Sequence, residues 1–250
     1  MIFLFTDFGV VGPYVGQMHA VLAAEAPQRR VIDLMHDAPA HDPRAAAYLL
    51  AALVREFPDH AICVGVVDPG VGTDRPAVAL KADGRWFVGP GNGLFELVRR
   101  RAAIAEPFTI VWRPGTLSAS FHGRDLFAPV AARLATLGPD QEPPADLLQP
   151  DTGDAVDRPG ADWPDDLPEI VYADRFGNLM TGIRADTLDA SSEISVGGSA
   201  GIRHARVFGD APPETLFWYG NSSGLAEIAV ANGSAAARLS LDVGDPVAVR

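Results

Sequence analysis

The sequence predicts a two-domain α/β protein: an N-terminal layered α/β domain with a largely parallel sheet, followed by a small all-β barrel domain. Three observations carry this expectation. Strand and helix signals alternate through the first 137 residues, the pattern of a sheet covered by helices. An acidic, proline-rich segment then interrupts the chain. Beyond it, short β-type runs are separated by turns rich in Gly and Asn. With 250 residues, 48% of them apolar and 21% charged, the chain has a globular composition and enough length to bury a substantial core.

The first element is a buried strand, Ile2–Thr6. The segment from Met1 lacks the basic start of a signal peptide and meets Asp7 at once, so it reads as structure. A helix is expected over Pro13–Ala26, with Pro13 in its first turn and Pro27 ending it. A strand follows at Val31–Leu34. The next helix spans Pro43–Phe57, with Asp42 as N-cap and Pro43 at the first position. It is apolar nearly all round from Ala45 to Val54, which predicts deep burial. Ala61–Val67 is a continuous apolar run, as a central parallel strand requires. Ala77–Leu80 and Trp86–Val88 read as strands joined by a turn at Asp83-Gly84. A short helix is expected over Gly93–Arg101 and a strand over Phe108–Trp112. Phe127, Val130, Ala131 and Leu134 recur at helical spacing, so Arg124–Leu137 reads as an amphipathic helix.

Between Gly138 and Glu169 lie ten acidic residues and one basic residue, Arg158, so this window supplies −9 of the net charge of −12. It also carries Pro139, Pro143, Pro144, Pro150, Pro159, Pro164 and Pro168. Such a segment cannot form a continuous helix or a central strand. It reads as a linker over 141–166, joining domains at 1–140 and 167–250. The second domain shows β-type runs at Glu169–Tyr172, Leu216–Tyr219, Glu227–Val230 and Pro246–Val249. Turns are expected at Gly177-Asn178, Gly197-Gly198 and Asn232-Gly233.

Composition excludes several functions. No concentrated basic stripe exists, so nucleic acid is not an expected partner. The longest apolar stretch, Ala45–Val54, is far short of the ~20 residues of a membrane span. The single cysteine, Cys63, lies in an apolar run, which rules out an intrachain disulfide framework and fits a reducing, cytoplasmic setting.

In open α/β sheets ligands bind beyond the C-terminal ends of the strands. Asp7, in Thr6-Asp7-Phe8-Gly9, and Asp68, in Val67-Asp68-Pro69-Gly70-Val71-Gly72-Thr73-Asp74-Arg75, both fall on that edge. Each could equally satisfy turn backbone. His122 sits in a polar loop, Ser118-Ala119-Ser120-Phe121-His122-Gly123-Arg124-Asp125, at the start of an expected helix, where anions are favoured. His36, Asp37, His41 and Asp42 are metal-ligand types, but Asp42 is explained as an N-cap and no zinc motif is present, so no metal site is expected. Gly70–Gly72 lacks the Gly-Lys-Ser/Thr of a P-loop, and no Gly-x-Ser-x-Gly elbow occurs. In the second domain, Asp174-Arg175-Phe176-Gly177-Asn178 and Asn221-Ser222-Ser223-Gly224-Leu225-Ala226-Glu227-Ile228 combine hydrogen-bonding side chains with turn glycines. The aromatic set Phe208, Phe217, Trp218 and Tyr219 reads as core or as a stacking surface.

Taken in order, these motifs resemble the S-adenosyl-L-methionine (SAM) hydroxide adenosyltransferases, hydrolases related to the SAM-dependent fluorinase and chlorinase. The resemblance runs nearly end to end. Its anchors are Thr6-Asp7-Phe8-Gly9 with Tyr14-Val15-Gly16, His36 to Ala47, Val67 to Thr73, Phe121 to Asp125, Phe176-Gly177-Asn178 and Asn221-Ser222-Ser223-Gly224. It implies an N-terminal α/β domain, a C-terminal β-barrel, and a homotrimer binding SAM between one subunit's N-terminal domain and a neighbour's C-terminal domain. By the same resemblance Asp68, Arg75 and His122 form the catalytic set, and Asp7 grips the ribose hydroxyls. Asn178, Ser222, Glu227 and Val230 fall around the adenosine, and Asp174 near the methionine amine. No metal or redox cofactor is implied. Two positions depart from the family pattern: Gly12, where the pattern is acidic, and Pro90-Gly91-Asn92-Gly93, where it reads Pro-Asp-Asn-Gly.

The implied reaction is attack of water or hydroxide at the ribose 5′ carbon, giving adenosine and L-methionine. The sulfonium leaves as a neutral thioether, so no general acid is needed. The chemistry requires orientation and help for a poor nucleophile. The halogenating relatives carry tyrosine at the positions matching Asp68 and His122. The ionisable pair in this chain favours an oxygen nucleophile, and Gly123 offers no hydroxyl to a halide. Rival readings are a halide-using adenosyltransferase, a SAM- or adenosine-binding module without catalysis, and metal-dependent hydrolysis through His36 and His41.

Overall fold

The computed structural model describes residues 1–138, 141–153 and 158–250. Residues 139–140 and 154–157, which include Pro139 and the expected domain boundary at 140, lie outside the described residues. The chain divides into two compact units, Met1–Asp162 and Trp163–Arg250.

The first unit comprises β1 (Ile2–Thr6), α1 (Tyr14–Glu25), β2 (Val31–Met35), α2 (Pro43–Leu53), β3 (Ile62–Val66), β4 (Ala77–Ala82), β5 (Arg85–Pro90), α3 (Glu96–Arg101), β6 (Ala105–Ile110), α4 (Ala128–Thr136) and β7 (Leu148–Pro150). Its sheet runs β2-β1-β3-β5-β4-β6-β7. Pairing is parallel from β2 through β1 and β3 to β5. It is antiparallel where β4, β6 and β7 extend the sheet. The hairpin behind that change turns at Asp83-Gly84, both with positive φ (47° and 76°), as a tight β-hairpin demands.

Strand alternation separates two apolar layers. Ile2, Leu4, Val64 and Val66 join Met18 and Leu22 of α1 and Val130 and Leu134 of α4 in one core. Phe3 points to the opposite face and stacks on Phe57 at a centroid distance of 4.2 Å. There α2 is buried from Ala45 to Ala52, as its all-round apolar sequence requires. Asp42 caps α2 by accepting from the Ala45 N–H at 2.9 Å. The final turn, Val54–Glu56, tightens into a 3₁₀ helix. The helix expected from Gly93 begins only at Glu96, and the strand expected at Phe108–Trp112 lies at Ala105–Ile110, drawn back by pairing with Val78–Ala82 of β4. The helix expected from Arg124 opens with a π-helical turn, Gly123–Phe127. Pro129 has no N–H with which to close an α turn there. Within the acidic segment, β7 adds an edge strand, the position where its terminal Pro150 is tolerated.

The second unit comprises β8 (Leu167–Ala173), β9 (Leu179–Arg184), β10 (Ile194–Val196), β11 (Ser199–His204), β12 (Leu216–Gly220), β13 (Leu225–Val230), α5 (Ala235–Leu239) and β14 (Val247–Val249). Its sheet runs β14-β10-β11-β12-β13-β9-β8. The two ends meet: Glu169 bridges Pro246, the Ile170 N–H donates to the Asp245 carbonyl at 2.9 Å, and the Gly244 N–H donates to the Ile170 carbonyl at 2.8 Å. The sheet thus curls into a barrel around Ile170, Leu179, Ile194, Trp218 and Ile228. No helix among the described residues is long and apolar enough to cross a membrane.

Candidate active site

Parallel register brings the two carboxylates together. Thr6 pairs with Val66 across β1 and β3, and the Asp7 N–H donates to the Val66 carbonyl at 3.3 Å. Asp7 and Asp68 therefore leave adjacent strands at the same edge, where α/β folds hold ligands. Both line a cavity of about 290 Å³, together with Phe8, Tyr14, Phe121 and His122. The three aromatic rings pack on one another, with centroids 5.4 to 5.9 Å apart.

Arg75 joins the polar groups. Its Nε donates to Asp68 Oδ1 at 2.8 Å, and its Nη2 donates to Asp68 Oδ2, a two-point grip that fixes both groups. The same Nη2 lies 3.1 Å from His122 Nδ1, and Nη1 donates to the Pro76 carbonyl at 3.2 Å. The Asp68 and Arg75 side chains are only 5% and 10% exposed. Burial holds the His122 imidazole below its usual range, and the Arg75 cation adds to this, while Asp68 opposes it. An arginine can only donate, so Nδ1 accepts, and the neutral ring carries its proton on Nε2.

Local backbone delivers these side chains. Gly72 has φ +82°, and a Cβ there would lie 2.7 Å from the Ala119 carbonyl oxygen. Glycine thus lets the Asp68–Arg75 loop touch the loop that carries His122. That second loop is tied down by Asp125, which accepts from the Ser118 N–H at 2.9 Å and from Arg124 Nε at 2.6 Å. The π-helical turn beginning at Gly123 follows directly, a feature frequent at functional sites.

The second unit holds a separate cavity of about 640 Å³, lined by Asp174, Phe176, Asn178, Phe208, Tyr219 and Val230 among others. Asp174 Oδ1 accepts from the Phe176 and Asn178 N–H groups at 2.8 and 2.9 Å, and Oδ2 from Asn178 Nδ2 at 2.9 Å. Phe176 is 75% exposed beside it. Glu227 is buried. Its Oε1 accepts from the Tyr219 hydroxyl at 2.5 Å and its Oε2 from Asn221 Nδ2 at 2.8 Å. Burial raises the Glu227 carboxyl above its usual range.

The structure therefore gathers Asp7, Asp68 and His122 in one cavity, with Arg75 bound to Asp68 and His122 beside it, and Asp174, Asn178 and Val230 in another. Ser222 and Glu227 stand outside the lining of both. Sequence reasoning missed His41, which lines the first cavity, gives its N–H to Asp7 Oδ2 at 3.0 Å and sits at φ +59°. It also missed Asn221 as the anchor of the β12–β13 turn, accepting from the Ser223 and Leu225 N–H groups, each at 3.0 Å. The Asn-Ser-Ser-Gly motif was a signal for the second; the first lies in the resemblance segment His36 to Ala47, where its side chain reads only as a metal-ligand type. Among the described residues no three His, Cys, Asp or Glu side chains gather as metal ligands.

Residues 2–142 match the SAM hydroxide adenosyltransferase N-terminal domain, and residues 168–248 match the C-terminal domain of the same family. The chain belongs to the SAM hydroxide adenosyltransferase family. A relative from Thermus thermophilus, named (R)-S-adenosyl-L-methionine hydrolase, is 40% identical over 98% of both chains. One from Salinispora arenicola with the same name is 39% identical over 98% of this chain and 95% of its own. A solved structure described as an uncharacterized conserved protein from Thermotoga maritima superposes with a TM-score of 0.87 at 30% identity, covering all of both chains. Against the SAM hydroxide adenosyltransferase pattern, the departure at Gly91 has a local cause. A Cβ at position 91 would meet Pro76 Cγ at 2.7 Å and Val78 Cγ1 at 2.9 Å. This member of the family presses that backbone against the residue after Arg75. Gly12, the other departure, has φ +116°, which an acidic residue would adopt only under strain.

Proposed function

We propose that this chain hydrolyses S-adenosyl-L-methionine to adenosine and L-methionine by attack of water or hydroxide at the ribose 5′ carbon. The observation that carries the reading is the Asp68–Arg75–His122 constellation opening on the cavity that also holds Asp7. Water forms the new C–O bond as the C–S bond breaks. The sulfonium takes the bonding pair and departs neutral, and one proton is released from the attacking water. With Nδ1 occupied by Arg75, His122 offers Nε2–H as a donor that orients the water. Asp68 is then the acceptor for the released proton, and Arg75 keeps its carboxylate aimed. Asp7, with two oxygens, matches the two ribose hydroxyls.

The rest of the reading concerns the ligand's other end. Asn178 and Val230 border the adenosine, with Ser222 and Glu227 holding the neighbouring turn, and Asp174 lies toward the methionine amine. Reaction residues fall in one unit and these groups in the other, and we extend to this chain the homotrimer, with sites between subunits, that the family resemblance implies. The proposed reaction uses neither metal nor redox cofactor, because its leaving group needs no Lewis acid. The single buried thiol, Cys63, supports a cytoplasmic location. The relatives' names specify the (R)-sulfonium, and we extend that preference to this chain. A pyramidal sulfonium exchanges the methyl and methionine arms between epimers, so only one epimer seats both ends.

The test is turnover in heavy-oxygen water. Purified protein given the (R)-epimer should release adenosine with the label on its 5′ hydroxyl, and added chloride should not divert it to 5′-chloro-adenosine. Unlabelled adenosine, a halogenated product or no turnover would overturn the reading. Faster turnover of the (S)-epimer would overturn the stereochemical part alone.

A further inference from the structure

A buried polar chain runs behind the cavity, and the reaction just described does not use it. The His36 imidazole is 4% exposed, and its Nδ1 lies 2.7 Å from the hydroxyl of fully buried Thr6. The Thr6 Oγ1 also accepts from the Phe8 N–H at 3.3 Å. The hydroxyl has two lone pairs, so the Phe8 contact alone leaves the tautomer of the ring open. Nε2 lies 3.0 Å from Asp33 Oδ1, an oxygen that only accepts, so the ring proton sits on Nε2 and Nδ1 accepts from the Thr6 hydroxyl. The same Asp33 oxygen is held at 2.7 Å by His19 Nε2. Around this chain the backbone is laced as well. The Gly9 N–H donates to the His36 carbonyl at 2.6 Å, and the Ala38 N–H to the Thr6 carbonyl at 3.1 Å.

We infer that His36 is a positioning residue, which through Thr6 sets the backbone on both sides of Asp7 and so aims the Asp7 carboxylate at the ribose. Thr6 and Phe8 flank Asp7 directly, and both depend on the one hydroxyl that His36 orients. His41, at the other end of the same loop, holds Asp7 Oδ2 by its N–H. An apolar side chain could fill the His36 pocket, but it would leave the Thr6 hydroxyl free to rotate. Burying an imidazole is costly without a partner; here the return is a fixed geometry for a carboxylate that touches ligand. The inference rests on the proposed role of Asp7.

The test compares SAM with its 2′-deoxyribose analogue in four variants. Thr6→Val removes the hydroxyl at nearly constant volume, and His36→Leu removes the ring. Each should raise KM for SAM about five- to tenfold, the effect of one lost hydrogen bond, while kcat stays within about twofold. Each should also shrink the preference for SAM over the deoxy analogue. His36→Asn, whose amide reaches the place of Nδ1, should restore most of both. Asp7→Asn is the control and should remove the preference altogether. If Asp7→Asn leaves the preference unchanged, the ribose role of Asp7 fails and the inference goes with it. If Asp7→Asn removes the preference but Thr6→Val leaves KM and preference as in the parent, the His36 chain alone is refuted. Should His36→Leu fail to fold, Thr6→Val decides.

Discussion

One nitrogen of Arg75, Nη2, holds Asp68 and lies 3.1 Å from His122 Nδ1, so a single guanidinium sets both the carboxylate's aim and the imidazole's tautomer. This contact makes the three residues one unit whose parts cannot be altered independently.

The first prediction concerns pH. Burial, then Arg75, lowers the His122 pKa from 6.5, so the ring is neutral at pH 7 and protonates only at a pH below 6.5. Activity should hold through neutrality and fall on the acid side, as Nδ1 gains a proton and turns from Arg75. Folding stability moves the same way: the unfolded chain binds that proton first, so stability is lost as pH falls below 6.5. In Arg75→Gln the repelling cation is gone and Asp68 remains. The His122 titration, followed by NMR of its ring protons, should move to higher pH. A midpoint that stayed or fell would contradict the assignment.

Arg75→Lys keeps the charge and loses the fork. A lysine cannot bind both Asp68 oxygens and His122 together. We expect kcat to fall by about tenfold or more, with a smaller change in KM, since orientation and not ground-state binding is lost. Steady-state kinetics check this, and a variant with parental kcat would remove Arg75 from the mechanism.

Asp68→Ala should damage both chemistry and fold. The loss of the proton acceptor should lower kcat by roughly 10²- to 10⁴-fold. The Arg75 cation left alone, 10% exposed, should cost about 3–5 kcal/mol in urea unfolding. Loss of activity at full stability would mean that the guanidinium finds another partner.

Gly91→Asp restores the family pattern but drives a Cβ into Pro76 and Val78. Overpacking of this kind costs about 1–3 kcal/mol, and Pro76 adjoins Arg75, so kcat should fall as well. Adding Pro76→Ala should recover much of the stability. If the double variant is no better than Gly91→Asp alone, the clash is not the cause.

Much of this was legible in the residues. Apolar run and turn chemistry placed β1, α2, β3 and the Asp83-Gly84 hairpin, and topology alone put Asp7 and Asp68 on one edge. The weaker strands were not legible. β10 is three residues long, β11 contains Gly201 at φ +71°, and β9 contains Gly182, where a Cβ would meet Leu167 Cβ at 2.6 Å. Their pairing is decided by neighbours distant in sequence, not by their own propensity. The same holds in the site. Arg75 and His122 are 47 positions apart, and no local pattern says that they touch. The family resemblance supplied that pairing, and the coordinates supply its geometry. The His36 chain was invisible because its imidazole, among polar loop neighbours, looked like a ligand candidate and not a buried strut.

The barrel's closure also has a consequence for how copies of the chain can meet. With β8 joined to β14 by the Glu169–Pro246 bridge and the bonds at Ile170, the middle of the outermost edge of that unit is already occupied. A foreign strand finds little to zip onto there. Contacts between copies through this edge therefore fall to side chains more than to main-chain ladders, which leaves them open to tuning by single substitutions.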